Sequence, residues 1–345
     1  MIHSSPRSRF GLIALPAALA LTLAACSSGD SEESGATAAA GGSETSSIAA
    51  VIKGLDNPFF QAMEQGIEDA AADAGGEVNI QAAADIGDTT GQADKLTALA
   101  GQDYGCFIVN PISGNNLVQA LAPIAQEGTP VVNIDNPIDA EAAEAAGLDI
   151  ATYIGTDNVA AGGKAGDFVV EQVEAGAKVA VIGGIAGDVT SAARVDGFRG
   201  AVEGTLDIIQ EEAGDWQREI ALTKATDIIA ANPDIAAFFA ANDDMGLGIV
   251  KAVENAGLTG QIVVVSVDGN VDALESVQEG GLSATVAQYP FAIGTLGYQA
   301  CAMAATGEAI PENIESPTAL VTADVAADAI AAFPEPFEAF ENPLG

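Results

Sequence analysis

Strand and helix signals alternate along this chain at a nearly constant step, and that constrains its fold more than any single motif. Apolar strand-like runs begin near Ile48, Val78, Cys106, Pro130 and Thr152, and again near Lys178, Asp207, Ile235, Ile262 and Ser283. In both series the first three starts lie roughly 28 residues apart, about one strand–helix–strand step. Helical spacing of apolar residues fills the gaps, at 91–100, 117–127, 159–173, 192–202, 224–231, 247–256 and 271–279. The stretch Val51–Gly76 shows one unit complete. A strand stops at Lys53-Gly54, and Asn57-Pro58 supplies a helix cap followed by a residue whose missing N–H costs nothing there. Phe60, Met63, Ile67 and Ala71 then recur at helical spacing until Gly75-Gly76 ends the helix.

Such alternation predicts an α/β fold with parallel sheets flanked by helices. About 285 residues exceed one comfortable core, so two similar doubly wound domains are expected. The first boundary falls near Gly155-Thr156-Asp157, and the residues of the two series barely repeat. A helix from Phe291 to Ala304 and a short strand near Ala319–Val321 follow, placed to cross back between domains as a multi-strand hinge. The expected division is 48–154 plus 289–318 for one lobe and 155–288 plus 319–333 for the other. The tail, 334–345, carries Pro334, Pro336 and Pro343 among phenylalanines and is expected to lie along the surface.

In a parallel sheet, ligands bind beyond the carboxyl ends of the strands. Polar residues gather at those ends here. Lys53, Asp135, Asn242, Asp268 and Gln288 each follow a strand; Arg194 lies in a loop-to-helix segment, and Trp216, the only tryptophan, precedes a helix. Taken singly, each is an ordinary cap, surface pair or core residue. Together, in a chain with 11 basic residues and 5% aromatics, they mark one edge as a site. Carboxylates accept hydroxyl protons, amides both donate and accept, and Lys and Arg donate to hydroxyl oxygens. With Phe60 and Trp216 to cover two faces, the set suits a neutral polyhydroxylated molecule.

The first 25 residues read as a secretion signal: Arg7 and Arg9, an apolar run from Phe10 to Leu23, then Leu23-Ala24-Ala25-Cys26. The last four resemble a bacterial lipobox, which makes Cys26 the lipidated first residue of the mature chain. Residues 26–47 form a Ser/Gly/Ala/Glu-rich tether, and the protein is expected outside the cytoplasmic membrane, anchored to its outer face. Without the signal, nine basic residues face 49 acidic ones, a net charge of −40. That argues against nucleic acid, which needs clustered Lys and Arg. The only histidine, His3, lies in the signal, so the mature chain has no His-based triad and lacks the commonest metal ligand. Gly183–Gly187 lacks phosphate-loop spacing, and no cofactor or metal site is expected. Spacing alone leaves a glycosidase-type carboxylate pair open. Cys106 and Cys301 read equally well as a disulfide or as two buried small apolar residues.

Several strings together resemble the periplasmic sugar-binding proteins of ABC importers, of the ribose and allose type, over residues 48–325. They are Leu55–Phe60, Thr156–Val159, Thr190–Arg194, Ala241–Asp243, Val267–Gly269 and Ala284–Gln288. The resemblance implies two lobes joined by a three-strand hinge, closing over one monosaccharide, and a monomeric partner of permease subunits. It implies Phe60 and Trp216 stacking on the sugar, Phe59 at the pocket floor, and Asn57, Asp135, Arg194, Asn242, Asp268 and Gln288 as polar ligands. Lys53 and Asn136 join the ligand set as positions of selectivity. Ribose binders usually carry Ser or Thr at the first and Arg at the second, whereas Lys at 53, Asn116–Val118 and Asp215-Trp216 resemble allose-type proteins. A hexose of that type or an open-chain polyol such as xylitol is expected. The resemblance also places the 291–304 helix back on the first lobe, bringing Cys301 toward Cys106, and a disulfide is expected on that placement. Rival readings are a repressor core, which needs a basic helix-turn-helix; a secreted enzyme, which lacks a recognisable nucleophile; and a sensor presenting sugar to a membrane receptor.

Overall fold

The computed structural model describes residues 47–339 and 341–345. The signal sequence, Cys26 and all of the tether except Ser47 lie outside them. The first half runs β1 (Ile48–Ile52), α1 (Pro58–Asp73), β2 (Val78–Ala82), α2 (Thr89–Ala100), β3 (Cys106–Val109), α3 (Val118–Gln126), β4 (Val131–Ile134), α4 (Ala140–Ala146) and β5 (Thr152–Thr156). The second runs α5 (Asn158–Gln172), β6 (Lys178–Gly183), α6 (Val189–Val202), β7 (Asp207–Ala213), α7 (Arg218–Ala231), β8 (Ile235–Ala240), α8 (Asp243–Asn255), β9 (Val263–Asp268), α9 (Val271–Glu279) and β10 (Ala284–Ala287). The chain then adds α10 (Pro290–Ala305), β11 (Asn313–Ser316), β12 (Ala319–Thr322) and α11 (Ala326–Ala332).

Two six-stranded sheets result, ordered β11-β5-β4-β3-β1-β2 and β12-β10-β9-β8-β6-β7. Strands β1–β5 of the first and β6–β10 of the second follow one doubly wound order, with the switch point between β1 and β3 in the first and between β6 and β8 in the second. Side chains alternate across each strand, and helices cover both faces. From β1, Ile48, Ala50 and Ile52 pack with Met63, Ile67, Ile293 and Leu296 of α1 and α10, while Ala49 and Val51 turn to Leu96, Leu117 and Leu121 on the other side. In the second sheet Phe238 and Phe239 are fully buried, and Phe239 stacks on Phe198 of α6 at 4.5 Å between ring centres.

Three segments pass between the sheets, at 156–158, 288–289 and 317–318. The last contains a departure from wholly parallel sheets: β12 runs antiparallel to β10, pairing Ala284 with Thr322. The crossing dictates this direction. Strand β10 runs toward the hinge, whereas β12 begins there and runs away. Residues α10 and β11 return to the first sheet, where β11 pairs parallel with β5, and a disulfide joins Cys106 at the start of β3 to Cys301 on α10, with Cα atoms 5.7 Å apart. The tail crosses the hinge region. Phe337 meets Tyr289 edge-on among Ala292 and Ala319, and Asn342 Nδ2 donates to Gln299 Oε1 of α10 at 2.9 Å.

Candidate functional site

Both switch points open on one space of about 570 Å³, mouth included, between the two sheets. The loop after β1 brings Lys53, Asn57, Phe59 and Phe60 to it, and the end of β4 brings Asp135. From the second sheet come Arg194 of α6, Trp216 after β7, Asn242 after β8, Asp268 at the end of β9 and Gln288 after β10. All the residues expected at the site therefore line this cavity except Asn136.

Helix caps and cavity-lining groups are the same residues in two places. Asn57 Oδ1 accepts the Phe59 N–H at 2.9 Å and Asn242 Oδ1 accepts the Met245 N–H at 2.9 Å, capping α1 and α8. Each amide nitrogen is left without a partner among the described residues, beside the cavity. The local fold thus fixes an acceptor on the helix and leaves a donor for a guest.

Each lobe supplies one ion pair. Lys53 Nζ lies 3.3 Å from Asp135 Oδ2 and 5.2 Å from the centre of the Phe60 ring. Arg194 Nη1 lies 2.9 Å from Asp268 Oδ1 and donates also to the Ala241 carbonyl at 2.7 Å. Arg194 Nε donates to Asn158 Oδ1 at 2.8 Å, and Gln288 Nε2 donates to the same Asp268 oxygen at 2.7 Å. The Asp268 carboxyl is raised to about 6, burial outweighing the opposing pull of Arg194. Its Oδ2 has no protein donor among the described residues. Behind it, Asp243 lies fully buried and accepts from Ser266 Oγ at 2.6 Å, Thr285 Oγ1 at 2.7 Å and the Asn270 N–H at 2.7 Å.

Backbone strain concentrates around the cavity. Among the described residues the non-glycine positions with positive φ are Asp135 (61°), Asp215 (53°), Trp216 (62°) and Asp268 (138°). Three of these line the space, and such conformations persist where surrounding contacts over-determine them. Tyr153 helps fix one, its hydroxyl donating to the Asp135 carbonyl at 2.6 Å; burial, then the Asp135 carboxylate, pushes that phenol well above the usual tyrosine range. Trp216 owes its place to Gly184, where a Cβ would strike the indole ring, and the Arg194 guanidinium lies 5.9 Å from the centre of that ring. Gly162 of α5 likewise allows α6 to approach until a Cβ would meet the Arg194 carbonyl, which seats Arg194 at the cavity.

Asn136 departs from its expected role as a sugar ligand. Its side chain is 1% exposed and its Nδ2 donates to the carbonyls of Pro111 at 3.1 Å and Ile112 at 3.4 Å. Its Oδ1 accepts from Thr190 Oγ1 at 2.9 Å. The loop after β3 supplies the two carbonyls that turn the amide away from the cavity. Sequence reasoning also missed Ile86, Ile112, Ile185, Asp188 and Thr190 in the lining. Their shared signal was position alone, since each lies beyond a strand's carboxyl end, four in loops or at a cap and Thr190 in the first turn of α6.

A periplasmic binding protein domain model matches residues 48–309. The D-allose-binding periplasmic protein of Escherichia coli (strain K12) is 38% identical over 248 residues, 71% of this chain and 80% of that protein. The ribose import binding protein of Bacillus subtilis (strain 168) is 33% identical over 268 residues, 78% of this chain and 84% of that protein. Among solved structures, a periplasmic solute-binding protein of an ABC transporter from Actinobacillus succinogenes 130z, with bound D-allose, superposes with a TM-score of 0.77 at 29% identity. It covers 82% of this chain and 99% of its own.

Proposed function

This chain belongs to the periplasmic binding protein domain family, and on that footing we propose that its cavity captures one monosaccharide of the allose or ribose type, or a sugar alcohol such as xylitol. It is a sugar-binding protein of an ABC importer, working outside the cytoplasm by ligand capture between two lobes, and not an enzyme. The permease subunits of that importer are its partners.

One observation carries the choice of ligand class: each lobe presents a carboxylate already paired with its own cation, Asp135 with Lys53 and Asp268 with Arg194. Each of these two pairs is balanced before a guest arrives. A neutral molecule rich in hydroxyls satisfies the remaining donors and acceptors without adding a buried charge, whereas an ion would leave one unpaired. Asn57, Asn242 and Gln288 extend the polar set, and Phe60 and Trp216 supply the apolar faces of a ring or carbon chain. Lys53, with Asn rather than Arg at 136, favours an allose-type hexose over ribose. Cys26 carries the lipid in this reading, and residues 26–47 tether the sugar-binding lobes to the membrane.

Thermal melting of the mature protein against aldoses, ketoses, polyols and sugar acids tests the proposal, because a ligand that binds only the folded state raises the melting temperature. At a hundred times its Kd a neutral sugar should add about 2.7 kcal/mol of apparent stability. A shift by sugar acids alone would overturn the neutral-ligand reading. Radiolabelled palmitate appearing in the wild-type chain but not in Cys26→Ser tests the anchor.

A further inference from the structure

Asn136 and Thr190 come from different lobes, one after β4 of the first sheet and the other in the first turn of α6 packed on the second. Their side chains meet directly, Thr190 Oγ1 donating to Asn136 Oδ1 at 2.9 Å. The acceptor is held rigidly before its partner arrives. Asn136 Nδ2 is committed to the Pro111 and Ile112 carbonyls. Its own backbone carbonyl accepts from Asn133 Nδ2 at 2.9 Å, and Asn133 Oδ1 accepts the Ile138 N–H at 2.8 Å, so the turn is stapled on both sides of Asn136. The backbone that carries the donor is held too: Asp188 Oδ1 caps α6 at the Ser191 N–H, and Ser191 Oγ accepts the Gly184 N–H at 2.8 Å. Two preorganised groups therefore face each other across the cleft. Little side-chain freedom is lost when they join.

We propose that Asn136 and Thr190 form a latch that stabilises the closed form from protein groups alone, whatever molecule lies inside. This rests on the reading of the cleft as a capture site that opens and closes. A bond present in the closed form and absent from the open one shifts that equilibrium, and the apparent affinity of every ligand of the closed form shifts by the same factor. A ligand-contacting residue behaves otherwise, because its loss depends on which hydroxyl it met. The latch also acts after capture, so its removal accelerates release and leaves association nearly unchanged.

The experiment follows association and dissociation of D-allose, D-ribose and xylitol with the wild type, Thr190→Val, Thr190→Ser, Asn136→Ala and the double variant Thr190→Val/Asn136→Ala. One hydrogen bond of ordinary net strength predicts about a five-fold rise in dissociation rate for Thr190→Val, equal for each molecule that binds. Thr190→Ser keeps the hydroxyl and should restore the wild-type rate. The double variant should be no worse than the poorer single one, since both remove the same bond. Thr190→Val leaves the Asn136 scaffold intact, so it carries the test even where Asn136→Ala misfolds. Losses that differ between ligands, or additive losses in the double variant, would overturn the latch. Relaxation-dispersion NMR of the ligand-free protein, which reads a minor closed population, separates this failure from that of the sugar reading. If none of the three molecules binds, the latch still predicts a closed-to-open ratio about five-fold smaller in Thr190→Val than in Thr190→Ser, and equal ratios refute it.

Discussion

Trp216 has the left-handed φ of 62° in a chain that uses such backbone sparingly outside glycine, and it is half-buried against the second-lobe core with one face toward the cavity. A core tryptophan and a stacking platform make different demands, and the placement favours the platform. Trp216→Ala should weaken sugar binding by about 2 kcal/mol, near thirty-fold, because a face that excludes water becomes wet. Calorimetric titration beside a melting curve checks it: a loss of stability with unchanged affinity per folded molecule would make Trp216 a core residue only. Gly184→Ala should give a similar loss by displacing the indole. At this scale the sequence was legible where a residue's place at a strand end or helix start fixes its role. Asn57 and Asn242 read as caps and as strand-end amides, and the structure gives each both positions. Asn136 was not legible. Its orientation is decided by two carbonyls in the loop after β3, some 25 residues away in the chain, and no local pattern announces them.

Strand β9 and the turn that follows it depend on a carboxyl outside the cavity. Asp243, at the start of α8, grips Ser266 before Asp268 and the Asn270 N–H after it, while Thr285 adds β10 to the same oxygen as Ser266. The strained Asp268 lies between the two anchor points. Burial first, then the Asp268 carboxylate, raises Asp243 to about 8 against the pull of those hydrogen bonds. A carboxyl with a raised folded pKa holds a proton in the native state that the unfolded chain has already released. Its contribution is therefore fully present below about pH 4 and is lost as pH rises toward about 8. Asp243→Asn mimics the protonated form. Its melting temperature relative to wild type should climb from pH 5 to about pH 8 and level off above that, and a constant difference across the range would show that Asp243 is ionised throughout. The element scale also shows where periodicity ran out. Strand starts in the two repeating series were legible to within about a residue, but helix starts were less so: α7 begins at Arg218, six residues before the 224 that its apolar spacing marked. Strand β11, Asn313–Ser316, buries only Ile314 and Ser316 and was missed, as were the seven-residue helices α4 and α11. The direction of β12 is set by where the chain crosses the hinge, which no four-residue pattern encodes.

For the whole molecule, the same sheet order in both lobes places two sets of strand ends face to face, and three crossings allow those sets to move as units. The Cys106–Cys301 disulfide lies apart from that movement. It ties the start of β3 to α10, both packed in the first lobe, with Cα atoms 5.7 Å apart and a sequence separation of 195. Neither cysteine lines the cavity. Closing so long a loop removes conformational freedom mainly from the unfolded chain, and the chain-entropy estimate gives about 5 kcal/mol. Because the bond restrains α10 against its own lobe and spans no interface between lobes, its loss should leave hinge closure and sugar affinity almost unchanged. The double variant Cys106→Ala/Cys301→Ala should therefore melt well below the wild type yet bind sugar, per folded molecule, within about two-fold of it, a margin under 0.5 kcal/mol. The two buried sulfurs also fill space in the core, so a fraction of the loss will be packing. Reduction of the wild type without mutation separates the terms, since it cuts the cross-link and keeps both sulfurs in place. A reduced protein as stable as the oxidised one would show that the cross-link itself contributes nothing, and a large fall in affinity on reduction would show that α10 transmits strain to the cleft.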